Sequence, residues 1–253
     1  MLRNSFFSNM PQVTKNLLII NIIVWAFMAF IPAADHAITK NLALYYFTSP
    51  GFRPWQLFSY MFLHANFSHL FFNMFALLIF GATIERSMGS VRFLFYYLTC
   101  GLCAALVQEG IFAIYVQRYT DLMLNAVSAE DLSTMLNRGW DAILSGRNYS
   151  MPELGALNAY VNTPLVGASG AVYGVLLAFG FLYPNQPVYL MFVPIPIKAK
   201  WLVMGYFVIE FVSGISTSAD GVAHFAHLGG MVFGFLLLLY WKKKGVFNNR
   251  WFF

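Results

Sequence analysis

Read for its hydrophobic and polar positions, the chain runs through six long apolar stretches separated by polar connections. They cover residues 17–34, 57–84, 91–115, 165–183, 201–215 and 222–241. About 20 helical residues cross the hydrocarbon of a bilayer, so each stretch predicts a membrane-spanning helix, the fifth short or tilted. The first could be taken for a signal peptide, with Lys15 as its positive flank. Its length and the spans that follow read instead as a retained helix. The expected organisation is a tail (1–16), a membrane domain (17–241) and a basic tail (242–253). The expected fold is all-α, a polytopic membrane bundle.

One connection departs from this pattern. Residues 117–163, between the third and fourth spans, carry Asp, Glu, Arg, Asn and Ser at the frequencies of a soluble protein. Within it, Leu132, Met135, Leu136, Trp140 and Leu144 recur at helical spacing behind Ser128 or Asp131 as a cap. This predicts a short amphipathic helix over 128–144, lying on the membrane surface near Trp140. The connection 35–56 mixes Tyr45, Tyr46, Phe47, Phe52 and Trp55 with few charges, as a segment half sunk in the interface does.

Composition strengthens the membrane assignment. The chain is 59% hydrophobic and only 10% charged, too little charge to keep a soluble surface of this size wet. The net charge of +5 does not form a nucleic-acid footprint, because Lys242, Lys243 and Lys244 directly follow the last span as cytoplasmic anchors do. With the N-terminus inside, ten of the fifteen basic residues fall on inner segments, which predicts both termini in the cytoplasm. Cys100 and Cys103 read as two small hydrophobes on a membrane helix rather than a redox dithiol.

Polar groups inside spans are costly, and here they form three clusters. His64, Asn66, Ser68, His69 and Asn73 open the second span, Gly167-Ala168-Ser169-Gly170 the fourth, and His224 and His227 the sixth. All three spans enter from the outer side, so the clusters meet at one depth below the outer surface. A serine with a neighbouring imidazole is the chemistry of acyl transfer. Ser169 would be the nucleophile and His227 its base. Backbone N–H groups at the start of span four, with His69 and Asn73, would supply an oxyanion hole. Gly167, Gly170 and Gly174 on one span and Gly230 and Gly234 on the other would let the two backbones close. Glu109 and Glu210 sit in spans three and five without a sequence signal tying them to His227, and are read as structural acids.

Rival readings are a zinc site and a transport pathway. Four histidines, at 64, 69, 224 and 227, lie toward one face, but there is no His-Glu-x-x-His stretch, and no metal is expected. A transport site would lie at the midplane with repeated halves, and no repeat is visible.

Trp55-Gln56, His64-x4-His69-x3-Asn73, Gly81-x3-Glu85-Arg86-x2-Gly89, Gly167-Ala168-Ser169-Gly170-x2-Tyr173 and Ala226-His227-x2-Gly230-x3-Gly234 follow one another along the chain. In this order they resemble the rhomboid family of intramembrane serine proteases, of the bacterial type with six transmembrane helices. The resemblance implies the six-helix rhomboid core, a Ser169–His227 dyad without a catalytic acid or cofactor, and an oxyanion hole from His69, Asn73 and the Ser169 backbone. It implies that Tyr173 packs on the His227 ring, that Glu85 and Arg86 tie the inner helix ends together, and that residues 216–221 cap the site. Span five would be the side through which a single-span protein substrate enters. The implied location is the bacterial inner membrane, with the active site opening outward. A catalytically silent client-binding relative is the alternative. Two departures are visible: Gln56 stands where much of the family has Arg, removing a charge that braces the outer loop, and the 117–163 insertion is long.

Overall fold

The computed structural model describes residues 9–190, 193–216 and 223–247 of the chain. Among these, four helices are long and apolar enough to cross a membrane. They are α1 (Gln12–Phe30), a composite helix Phe67–Met88, the 35-residue α6 (Ser90–Leu124) and α11 (His224–Lys243). The composite joins α4 (Phe67–Ala76) to α5 (Ala82–Met88) through a π turn at Leu77–Gly81. Two shorter apolar helices, α9 (Ser169–Leu182) and α10 (Ala199–Ile215), complete the bundle. Ten of the fourteen residues of α9 are buried, which places it at the centre, where length need not match lipid. The outer helices instead turn large apolar side chains outward: Ile19, Ile22, Ile23 and Phe27 on α1, and Met204, Val208, Ile209 and Val212 on α10. Such surfaces suit lipid as the solvent, with backbone polar groups satisfied inside each helix. The chain is an integral membrane protein of all-α fold.

Several elements differ from the sequence reading. Pro32 starts a separate helix, α2 (Pro32–Leu42), because its fixed φ and missing N–H suit a first helical position and not a helix interior. The second span begins at Phe67 instead of residue 57. Before it come the single turn α3 (Gln56–Ser59), a 3₁₀ turn at Tyr60–Phe62 and an extended break that holds His64. An apolar run hid the break, since periodicity does not register a tight turn built from apolar residues. The third span overshoots the expected 91–115, and at about 1.5 Å per residue α6 is some 52 Å long, beyond a bilayer core. Between α9 and α10 stands an antiparallel hairpin, β1 (Pro187–Leu190) and β2 (Val193–Lys198), pairing Pro187 with Lys198 and Val188 with Ile197.

The insertion folds as two helices, α7 (Ala129–Leu144) and α8 (Pro152–Asn162), of which only the first is expected from the sequence. Ser128 caps α7, its Oγ accepting from the Asp131 N–H at 3.1 Å. Trp140 packs edge-on to Tyr45, lies under the Lys40 ammonium and presses on Gly51, where an added Cβ would come within 2.6 Å of its ring nitrogen. Asn162 accepts from Ser49 Oγ at 2.7 Å and donates to the Leu136 carbonyl at 2.9 Å. The insertion therefore clamps the 43–56 segment. That segment in turn pairs with the chain entering α9, through Leu44 and Leu165, whose N–H···O bonds are 3.0 and 2.7 Å.

Glu85 ties the opposite end together. Nothing in α1's own sequence caps it, and its first N–H groups lack acceptors. The Glu85 carboxylate accepts from the Val13 N–H at 3.0 Å, the Thr14 N–H at 2.7 Å, Thr14 Oγ1 at 2.8 Å and Ser90 Oγ at 2.6 Å. One buried carboxylate thus fastens α1, α5 and α6. Glu85→Ala leaves four donors without that partner and should destabilise the fold by about 2–4 kcal/mol. A thermal melt of the detergent-solubilised variant beside wild type checks this, with an unchanged midpoint as the contrary result.

Candidate active site

α4, α9 and α11 all begin at the end of the bundle that carries the insertion, so their first turns meet. Asn66 fixes the start of α4: its Oδ1 accepts from the His69 N–H at 2.8 Å and Ser68 Oγ at 2.7 Å. His69 then sits in the first turn and Asn73 one turn further on. The entry to α9 is set by Gly167, which has φ of +133° and donates its N–H to the Tyr60 carbonyl at 3.0 Å. A Cβ there would stand 2.7 Å from His69 Cε1. Glycine is needed for both the backbone angle and the space. Ser169 follows as the first residue of α9, so its N–H has no acceptor one turn earlier in the helix.

α9 and α11 touch backbone to backbone. A Cβ built on Gly230 would lie 1.9 Å from the Gly170 carbonyl oxygen, closer than any side chain tolerates. Gly174 faces Cys100 and the Gly230 carbonyl. Gly234, expected to face α9, faces Tyr96 and Cys100 of α6 instead. Seven residues return it to nearly the same face as His227, about 20° away, but two turns further along α11 that face meets α6 instead of α9. The start of α11 is also held from α6, where Gln108 Oε1 accepts the Ala226 N–H at 3.1 Å.

This packing leaves Ser169 Oγ 2.8 Å from His227 Nε2. His227 is buried, and the Tyr173 ring stacks on it at 4.3 Å and 9°. Asn73 is buried too, and its Nδ2 has no hydrogen-bond partner among the described residues. His64, in the break before α4, packs its ring 5.0 Å from that of His69. Beside the pair lies a cleft of about 960 Å³ between α4, α9 and α10, with Phe72, Asn73, Tyr173, Leu176, Leu202 and Tyr206 among its walls.

The sequence reading took Glu210 for a structural acid without naming its partners. Its carboxylate accepts from the Tyr173 hydroxyl, and its Oε2 lies 2.6 Å from His224 Nδ1 and 3.0 Å from His227 Nδ1. The only available signal was an acid within an apolar run, which by itself names no partner. Glu210, His224 and His227 put three potential metal ligands within 4.8 Å. Two of their separations, 2.6 and 3.0 Å, are shorter than the roughly 3.3 Å between ligands of a tetrahedral zinc ion. They suit a carboxylate hydrogen-bonded to the His224 ring and lying close to the His227 ring.

A profile of the Rhomboid domain matches residues 51–120 and 141–244. The chain belongs to the rhomboid family. Among curated proteins it is similar to rhomboid protease AarA of Providencia stuartii, 28% identical over 89% of this chain and 70% of that protein. It is also 28% identical to an uncharacterized mitochondrial rhomboid protein of Schizosaccharomyces pombe, over 77% of this chain and 53% of the relative. The mitochondrial rhomboid protein 1 of Saccharomyces cerevisiae is 27% identical over 72% and 40% respectively. The chain thus spans about half the length of the two mitochondrial relatives.

Within the rhomboid frame, residues 121–140, which include most of α7, lie outside the profile match. Arg86 donates to the Asn9 carbonyl at 3.1 Å, beside the Glu85 cluster. The bracing expected to be lost at Gln56 is made by a neutral amide. Fully buried, Gln56 accepts from the Arg53 N–H at 3.0 Å and donates to the Gly51 carbonyl at 3.0 Å. Of the expected cap at 216–221, residues 217–221 lie outside the described residues.

Gly230→Ala should force α9 and α11 apart and separate Ser169 from His227. The expected result is a loss of stability of about 1–3 kcal/mol. Thermal melting checks it, and a wild-type midpoint would contradict the packing described.

Proposed function

We propose that the chain is an intramembrane serine endopeptidase that cleaves single-span membrane proteins in or near their transmembrane segment. The observation that carries this reading is the 2.8 Å contact between Ser169 Oγ and His227 Nε2, near a cleft whose walls include Asn73 and Tyr173. Ser169 attacks the scissile carbonyl while His227 takes its proton. The tetrahedral oxyanion is received by the Ser169 N–H, the Asn73 amide and the His69 ring. His227 returns the proton to the leaving nitrogen, and water, activated by the same ring, releases the acyl group from Ser169.

Supporting features lie around the dyad. The unpartnered Asn73 amide is a donor held in place without an acceptor, as an oxyanion hole requires. Tyr173 fixes the plane of the His227 ring. Supporting glycines have distinct tasks: Gly167 admits His69, Gly230 lets α11 settle on the Gly170 carbonyl, and Gly170 itself makes room for Ala104 of α6. The apolar cleft between α4 and α10 accepts a substrate helix, which unwinds to present its backbone to Ser169. The basic residues after α11 support a reading with both termini in the cytoplasm and the site toward the outer face of a bacterial inner membrane.

Co-expression with a panel of single-span reporters tests the proposal. Ser169→Ala and His227→Ala should each reduce cleavage to background, a fall of about 10⁴-fold or more. Asn73→Ala should retain folding and lose about 10²-fold in kcat. Cleavage that survives the first two substitutions would refute the assignment.

A further inference from the structure

We propose that Glu210 is a positioning residue for the reaction, a buried charge carried on α10 that holds His227 toward Ser169 and balances the imidazolium formed during turnover. This rests on the reading of Ser169 and His227 as nucleophile and base. It goes beyond it by adding a third group, from a third helix.

Four observations carry the inference. Glu210 is buried on α10, and between Trp201 and Ile215 no other residue of that helix is an acid or a base. Its two oxygens divide their work. Oε1 accepts from the Tyr173 hydroxyl, and the Tyr173 ring stacks on His227 at 4.3 Å. Oε2 lies 3.0 Å from His227 Nδ1, the nitrogen remote from Ser169, and is held there by His224 Nδ1 at 2.6 Å. The carboxylate therefore reaches the His227 ring twice, once directly and once through the tyrosine packed on its face. The Nδ1 contact is close without the alignment of a hydrogen bond, so Glu210 offers His227 mainly a charge.

The chemistry needs that charge at one moment. As the Ser169 Oγ–carbon bond forms, the Oγ proton moves to His227 Nε2 and the ring becomes a cation. A carboxylate near Nδ1 favours the tautomer that leaves Nε2 free as acceptor, and then offsets the new positive charge. When the ring gives the proton to the leaving amine nitrogen and the C–N bond breaks, it is neutral again. No proton passes to Glu210. Burying an unbalanced carboxylate in a membrane helix is costly, and hydrogen bonds from Tyr173 and His224, with the His227 ring close by, account for its tolerance.

Charge and shape are separable at this position. Gln is isosteric with Glu but carries no charge, and its single oxygen can accept from only one of Tyr173 and His224. Asp keeps the charge on a side chain one methylene shorter. The experiment measures kcat and KM for reporter cleavage by the full chain in liposomes, for wild type, Ser169→Ala, Glu210→Gln and Glu210→Asp. Rates are referred to the fraction of monodisperse protein with a wild-type melting point, so a folding defect does not count as lost turnover. Glu210→Gln should lower kcat on the order of tenfold to a hundredfold with KM within about twofold, and Glu210→Asp should be the faster of the two. Wild-type kcat in Glu210→Gln, or Glu210→Asp no faster than Glu210→Gln, would overturn the role of the charge while leaving the dyad standing. Undiminished cleavage by Ser169→Ala would instead remove the reading on which it rests.

Discussion

Backbone contact between α9 and α11 is the constraint on which the site depends. Side chains normally hold helix axes 8–10 Å apart. Here Gly230 lets α11 settle on the Gly170 carbonyl, and only at that spacing do a serine at the start of one helix and a histidine at the start of the other come to 2.8 Å. The remaining elements keep that contact in register. α6 supports both partners, with Tyr96 donating to the Gly174 carbonyl at 2.8 Å and Gln108 accepting from Ala226 at 3.1 Å. The insertion clamps the 43–56 segment, which pairs with the chain just ahead of Ser169.

Several buried polar groups in this bundle are tied to a helix end, a loop or another polar side chain. Glu85 caps α1, Glu109 accepts the Phe47 N–H at 3.1 Å, and Gln56 braces the loop that Asn162 reaches from the insertion. In a membrane protein such groups determine where the irregular segments go, because apolar packing against lipid cannot. Others have no hydrogen-bond partner among the described residues, including both ring nitrogens of His64, the Tyr97 hydroxyl and the Asn73 amide nitrogen. Of these, Asn73 lines the cleft. An unfilled donor at that place has meaning if the acceptor arrives with a substrate.

Much of this was legible in the sequence, and the physical reasons mark where legibility stopped. Long apolar runs located the helices because a bilayer imposes length and polarity together. Glycines and histidines at the starts of spans pointed to one end of the bundle, where Ser169, His227, His69 and Tyr173 are found. The break around His64 was hidden because a turn made of apolar residues leaves no mark in the hydrophobic pattern. α8 and the β1–β2 hairpin were missed for want of strong periodicity. Gly234 was assigned to the wrong neighbour, since a helical face is a broad sector and the neighbour filling it depends on tertiary packing. Glu210, read as a structural acid, was the residue whose contacts were least legible. Its partners come from α9 and α11, and no spacing within α10 encodes them.

The central claim is that Ser169 is a nucleophile activated by His227. Fluorophosphonate labelling of the purified chain, followed by peptide mapping, tests it most directly, because the reagent forms a covalent adduct with an activated serine and needs no knowledge of the substrate. The account predicts a single adduct, on Ser169, whose formation is lost in His227→Ala. No adduct on folded wild-type protein, or labelling of Ser169 undiminished without His227, would contradict it.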